Sequence, residues 1–208
     1  MKQRRGLLVI GFLLLGCLLI AVCSTFGLVA LWVQRQGGLS EIRREAAPTA
    51  ARQGGELSIF GDEPVTLDPA LVQDAFSAVY VVEIFGGLVT LDRNLEVAPD
   101  LAERWKVSQD GRTYTFELRR DAKFQDGRPV TAADVQYSLE RACSPALGSP
   151  AVPTYLSDIE GATAVMQGEA TSISGLRVLD DYTLSLTIDA PKAYFLAKLT
   201  YPTAFVVD

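Results

Sequence analysis

The sequence has 208 residues, a formal net charge of −6 and no histidine. The lack of histidine excludes Ser-His-Asp and Cys-His catalytic pairs. From Glu56 onward, 12 Lys and Arg stand against 23 Asp and Glu, which opposes binding to nucleic acid or to anionic lipid headgroups. Cys143 is the one cysteine after Glu56, so that part forms no internal disulfide and no Cys/His zinc site.

Residues 7–33 form an uncharged apolar run near the N-terminus. As a helix, 27 residues extend about 40 Å, more than the roughly 30 Å hydrocarbon core of a bilayer. Lys2, Arg4 and Arg5 precede the run, and this basic flank favours a cytoplasmic N-terminus with the following residues outside. The run is longer than the apolar region of a cleaved secretory signal. We therefore predict an uncleaved membrane anchor in residues 1–34.

A second interpretation of the N-terminus remains open, because Leu14-Leu15-Gly16-Cys17 resembles a bacterial lipoprotein cleavage site. Cleavage would leave a lipid on Cys17, but 16 apolar residues would then follow where a polar tether is expected.

Residues 35–55 have little apolar content and glycine pairs near both ends, which is typical of a tether. A short helix at 39–46 would be a stiffer tether with the same role.

Beyond the tether, the sequence predicts short strands alternating with helices. In chain order these are a strand at 57–60, a turn at Asp68-Pro69, a buried or half-buried helix at 75–85, a strand at 88–91 and a helical turn at 99–102. A β-hairpin follows, with strands at 104–107 and 113–119. Asp110-Gly111 between them supplies the positive φ that a tight hairpin needs.

The stretch FQDGRPVTAADVQYSLER, residues 124–141, predicts a turn at Asp126-Gly127 and then a helix. Thr131 can cap this helix, with Asp134 three residues on at the capping-box spacing. The apolar stripe that points inward consists of Val135, Leu139 and Ala142. We interpret this joint as architecture rather than as a catalytic Asp126–Asp134 pair.

The remaining sequence predicts four elements and an apolar end. They are a loop at 143–153, a helix from Tyr155 to Gln167 ending at Gly168, a hairpin at 174–189 with its turn at Asp180-Asp181, and a short helix at 191–199. The last residues, 205–207, have the pattern of an apolar strand and are expected to lack their neighbours. Because a chain rarely stops on such a strand, we expect the sequence to be part of a longer protein.

Three runs together resemble the family 5 extracellular solute-binding proteins, which are the oligopeptide-, dipeptide- and nickel-binding proteins of ABC importers. The runs are LDPALVQDAFSAVYVVEIFGGLVTLD, WKVSQDGRTYTFELRRDAKFQDGRPVTAADVQYSLERA and LRVLDDYTLSLTIDAPKAYFLAKL. The resemblance covers about residues 56–208. It implies an α/β fold, the N-terminal part of a two-lobed periplasmic-binding-protein (type II) fold. Residues 56–85 would begin the first lobe, residues 86–208 would form a subdomain of it, and the second lobe would be absent from this chain.

The resemblance also implies two ligand-contacting segments. They are Gln73, Asp74, Ala75 and Phe76, which follow the Asp-Pro and would pair with a peptide backbone, and Ala151, which follows a Ser-Pro dipeptide. Some peptide binders carry an aromatic residue directly after the Ser-Pro dipeptide, so the alanine at position 151 weakens the peptide assignment. The alternative is that Phe76 belongs to the core and Gln73 is a solvated loop residue.

The implied function is that of a membrane-anchored, extracytoplasmic substrate-binding component of an ABC importer. Its partners would be an oligopeptide or dipeptide, the ABC permease subunits, and the membrane through residues 7–33. Sugars, opines and nickel complexes are other ligands of the family. A sensor ectodomain with the same fold is the alternative. An enzyme is not expected, because no nucleophile-base pair, metal cluster or phosphate loop is present, and we expect no cofactor.

Overall fold

The computed structural model describes residues 61–208. The expected anchor at 1–34, the tether and the strand at 57–60 lie outside the described residues. Within 61–208, no helix combines the length and the apolar character needed to cross a membrane.

The described residues form short helices and strands. The helices are α1 Ala75–Ile84, α2 Ala132–Cys143, α3 Val152–Tyr155, α4 Ala162–Met166 and α5 Phe195–Lys198, with a 3-10 helix at Pro202–Ala204. The strands are β1 Val89–Leu91, β2 Val97–Pro99, β3 Ala102–Val107, β4 Thr113–Leu118, β5 Leu176–Asp180 and β6 Thr183–Thr187.

The strands form two antiparallel sheets, one of β1 and β2 and one with the order β3-β4-β6-β5. Both predicted hairpins are confirmed, and Gly111 has the expected positive φ of 71°. The turn of the second hairpin lies one residue later than predicted, because Asp180 still belongs to β5. The pairing of β4 with β6 joins the two hairpins into one sheet.

The inner face of the four-stranded sheet forms the centre of the apolar core. Phe116, Leu184 and Leu186 on this face are fully buried. Val135 and Leu139 of α2 belong to the same cluster, which confirms the predicted inward stripe. Burial of each such side chain contributes about 1.5–3 kcal/mol, so the alternation along the strands fixes which side of the sheet α2 covers.

The predicted turn and cap before α2 are also confirmed. Gly127 has a φ of 92°. The Asp134 carboxylate accepts hydrogen bonds from both the backbone N–H and the hydroxyl of Thr131, each at 2.7 Å. Arg128 contacts the same carboxylate at 2.7 Å, so the first turn of α2 is tied to the turn that precedes it.

Two helical predictions were wrong because backbone pairing with distant strands replaces the local helix. Residues 99–102 are no helical turn, since Pro99 ends β2, Ala102 begins β3, and the Ala102 N–H donates to Leu88 O at 3.0 Å.

The predicted helix from Tyr155 to Gln167 is interrupted between α3 and α4. There Ile159 forms a bridge with Ile188. The predicted helix at 191–199 is shorter, Phe195–Lys198.

The C-terminal segment departs from its prediction as well. Phe205 and Val206 are buried, and no strand is present at 205–207. The Val206 N–H donates to Gly86 O at 2.8 Å, and the Val207 N–H donates to Ser138 Oγ at 2.9 Å. The expected unpaired apolar edge is therefore wrong, because this segment is already covered by α1 and α2.

Candidate functional site

The predicted ligand segment, Gln73–Phe76, lies where the chain enters α1. Asp74 caps the helix, and its Oδ1 accepts a hydrogen bond from the Ser77 N–H at 2.8 Å, the usual role of aspartate at this position. The Ser77 hydroxyl is buried and accepts from the backbone N–H groups of Val65 and Thr66 at 3.0 and 3.2 Å. The backbone at 65–66 is therefore fixed to the first turn of α1.

The Asp68 carboxylate connects this segment to α2. Arg141 in the last turn of α2 donates to both carboxylate oxygens, at 3.2 Å to Oδ1 through Nη1 and to Oδ2 through Nη2. Asp68 Oδ1 also accepts from the Ala70 N–H at 3.0 Å. The Arg141 guanidinium holds the pKa of Asp68 below its ordinary value, so the pair stays ionised at neutral pH.

A second contact ties the segment to the loop after α2. The Ser149 hydroxyl donates to Ala70 O. Ala151, the second predicted ligand position, precedes α3 and is half-buried. One turn later, Tyr155 stacks on Tyr201 with ring centroids 3.7 Å apart and planes 7° apart. The fold therefore brings the loop with Ala151 against the turn that leads to Gln73.

Three of the predicted ligand residues are open to solvent. Gln73, Ala75 and Phe76 are exposed, while Asp74 is half-buried by its capping role. Phe76 is 54% exposed, so within residues 61–208 it is not a core residue.

The prediction that the helix is buried or half-buried was wrong over most of its surface. Only Ser77 and Val81 are buried in α1. Four apolar side chains of α1 are exposed. Three of them, Phe76, Val79 and Val82, follow one another at intervals of three residues and form what we call the apolar face of α1, and the fourth, Ile84, lies at the end of the helix.

A cavity of about 390 Å³ lies beside this segment, and the sequence did not predict it. Its walls include Leu67 and Asp68, Ile84 and Phe85 at the end of α1, Arg141, and the last residues, 206–208. None of the five predicted ligand residues lines it. Because its walls come from segments more than a hundred residues apart in the chain, no local sequence pattern could indicate it.

Two kinds of reactive site find no support in the part of the chain that the structure describes. No group of three or more Cys, Asp or Glu residues within 61–208 is arranged to hold a metal ion. Burial raises the pKa of the Cys143 thiol to about 12, so this thiol stays protonated and unreactive at neutral pH.

The chain matches the family model of the bacterial extracellular solute-binding proteins, family 5 Middle, over residues 96–208. Two curated relatives are the probable deoxycholate-binding periplasmic protein YgiS of Escherichia coli, 38% identical, and the dipeptide-binding protein DppE of Bacillus subtilis, 33% identical. The alignments cover 70% and 91% of this chain but 28% and 34% of the relatives. The structure of Listeria monocytogenes OppA bound to peptide superposes with a TM-score of 0.68 at 30% identity, over 72% of this chain and 30% of that one.

These matches place the chain in a class of bacterial extracellular solute-binding proteins. The chain belongs to the bacterial extracellular solute-binding proteins of family 5. It spans about a third or less of the length of the relatives and of the solved structure that it matches.

The exposure of Phe76 gives a first prediction. Phe76→Ala should change the free energy of unfolding of residues 56–208 by no more than about 0.5 kcal/mol, as at other exposed positions. Val81→Ala, five residues further along α1 but fully buried, should cost roughly 2 kcal/mol. Urea unfolding followed by circular dichroism measures both values. A Phe76→Ala cost equal to that of Val81→Ala would place Phe76 in the core.

Proposed function

We propose that this chain is part of the extracytoplasmic substrate-binding component of an ABC importer and that its ligands are peptides. The observation that carries the proposal is the exposed start of α1, Gln73–Phe76, in a chain of a solute-binding family. The similarity to dipeptide-binding DppE and to peptide-bound OppA supports peptides as the ligand class.

The chemistry of the segment suits an extended peptide. The first N–H groups of a helix have no partner within the helix. Asp74 accepts from those of Ser77 and Ala78, so those of Ala75 and Phe76 can donate to peptide carbonyl groups. Main-chain pairing of this kind does not depend on the peptide's side chains. Phe76 adds an apolar contact beside it. The segment would therefore hold peptides of varied sequence.

A second ligand class, an amphipathic steroid carboxylate, is favoured by one observation. The relative with the highest identity quoted above, 38%, is named as a probable deoxycholate-binding protein. The apolar face of α1 would suit the steroid rings, whereas main-chain pairing would be unused. We rank peptides first because DppE, which is named as a dipeptide-binding protein, matches 91% of this chain, whereas YgiS matches 70%.

We further propose that residues 56–85 begin the first lobe of a two-lobed protein and that residues 86–208 form a subdomain of that lobe. The second wall of the ligand cleft would then lie in a second lobe. The apolar face of α1 supports this arrangement, because exposed apolar patches mark surfaces that contact other protein. The relatives are about three times as long as the part that this chain matches, and this additional length is enough for a second lobe.

We also propose that residues 7–33 anchor the protein with residues 56–208 outside the cell. Protease added to intact cells should then remove residues 56–208, detected by mass spectrometry of the released peptides. Protection of these residues would reverse the orientation. A mature N-terminus at a lipidated Cys17 would instead identify a lipoprotein.

The two-lobed arrangement predicts weak binding by one wall alone. A peptide loses about 0.5–1.5 kcal/mol of conformational freedom per immobilised side chain, and half of the contacts should not offset this loss. Residues 56–208 should therefore bind tri- to pentapeptides no more tightly than about 1 mM, roughly 4 kcal/mol, in calorimetry. Micromolar binding by a monodisperse sample would mean that these residues hold a complete site, and the two-lobed arrangement would be abandoned.

The same arrangement predicts self-association through the apolar face of α1. Light scattering should detect oligomers of residues 56–208, and the double variant Val79→Ser/Val82→Ser should reduce them because it makes the exposed face polar. Val107→Ser, at an exposed valine of β3, is the matched control and should leave the scattering unchanged. Equal scattering by wild type and the double variant would contradict self-association through the apolar face of α1.

A further inference from the structure

The turn before the ligand segment is held in place by few polar contacts, and they come from different directions. Ser77 fixes residues 65–66 from α1 itself. Arg141 binds Asp68 from the end of α2, and Ser149 binds Ala70 from the loop that follows α2. Of these polar contacts, only those made by Arg141 and Ser149 connect the turn at 68–71 to the subdomain that contains the four-stranded sheet.

The Asp68–Arg141 pair is the stronger of these two connections. Both ends are charged and the guanidinium donates to both oxygens, a geometry that is stronger and more directional than a neutral hydrogen bond. The side chains are 22% and 29% exposed, so water screens them less than a surface pair. Arg141 also lies at the C-terminal end of α2, where the helix dipole favours a cation.

The chain between Asp68 and Gln73 has little freedom to absorb a shift. The Leu71 N–H donates to Asp68 O and the Ala70 N–H donates to Asp68 Oδ1, both at 3.0 Å, which closes the turn. Val72 is 1% exposed and packs in a cluster with Val81 and Phe205. A displacement of Asp68 would therefore be transmitted to the start of α1.

We propose that Arg141 is a positioning residue for ligand binding, which through Asp68 holds the turn at 68–71 so that Gln73–Phe76 are presented in one fixed geometry. Arg141 does not contact the ligand in this role. The proposal rests on the proposed function, because it takes Gln73–Phe76 as the binding segment. A purely structural ion pair would instead stabilise the whole subdomain, and its loss would loosen every element alike.

Hydrogen exchange followed by mass spectrometry on the full chain in lipid nanodiscs separates these roles. In Arg141→Gln, amides of residues 70–77 should exchange about tenfold faster, because a charge-assisted bond that restrains their local opening is lost. Amides of β4 and β6 should change by less than about twofold. Arg141→Lys, which keeps the charge without the two-pronged geometry, should fall between wild type and Arg141→Gln.

The matched control is Arg177→Gln. Arg177 is exposed on β5 and has no ion pair among residues 61–208, so this variant should not alter exchange at 70–77. Unchanged exchange at 70–77 in Arg141→Gln, or equal acceleration in β4, would overturn the proposal. If Arg141→Gln does not fold, Asp68→Asn removes the charge from the other side and should give the same local acceleration. Failure of both variants to fold would also overturn it.

A binding measurement distinguishes failure of the inference from failure of the proposed function. Trialanine titrated into the full chain in nanodiscs, to concentrations far above the roughly 1 mM dissociation constant expected of one wall, should shift the NMR signals of Gln73–Phe76 amides. Arg141→Gln should raise the dissociation constant about tenfold. No shift in wild type even at these concentrations would refute the peptide-binding segment, with the exchange data still deciding whether Arg141 positions the turn. Equal trialanine affinity in wild type and Arg141→Gln would refute the inference alone.

Discussion

Strand β4 pairs with β6 along five residue pairs, from Thr113 opposite Thr187 to Glu117 opposite Thr183. This register places the apolar residues of both hairpins on one face, which α2 then covers. The position of α2 in turn sets where Arg141, at its last turn, meets Asp68. The geometry of the proposed ligand segment therefore depends on a strand pairing whose partners are about 70 residues apart in the chain.

A second set of contacts fixes the part of the chain that leads to Phe205, which packs against α1. Asp158 is buried, and Lys192 Nζ donates to its Oδ1 at 2.7 Å, while Lys198 Nζ lies 2.7 Å from Oδ2 without hydrogen-bond geometry. Burial raises the pKa of Asp158, but the two ammonium groups more than offset this, and the net pKa is lowered. The cluster fixes α5 ahead of the 3-10 helix, after which Phe205 packs against Val72 and Val81.

The parts of the fold that were predictable from sequence are those with local causes. The Asp110-Gly111 turn, the alternation of Tyr114 and Phe116, and the cap at Thr131 each depend on residues within a few positions. The interruption at Ile159 could not be predicted, because it depends on a bridge to Ile188. For the site, the exposed segment at 73–76 was found through family resemblance, whereas the Asp68–Arg141 pair and the cavity join residues too distant for any local pattern.

The proposed peptide binding through Gln73–Phe76 is tested most directly by the chemical identity of the ligand that copurifies with the protein. Native mass spectrometry of the complete two-lobed protein that we propose contains this chain, purified without denaturation from the cells that produce it, measures this after fragmentation of the released ligand. Peptide binding through this segment predicts a mixture of short peptides of varied sequence, because main-chain pairing at the start of α1 does not select side chains. A single non-peptide species, such as a steroid carboxylate, would contradict peptide binding through Gln73–Phe76.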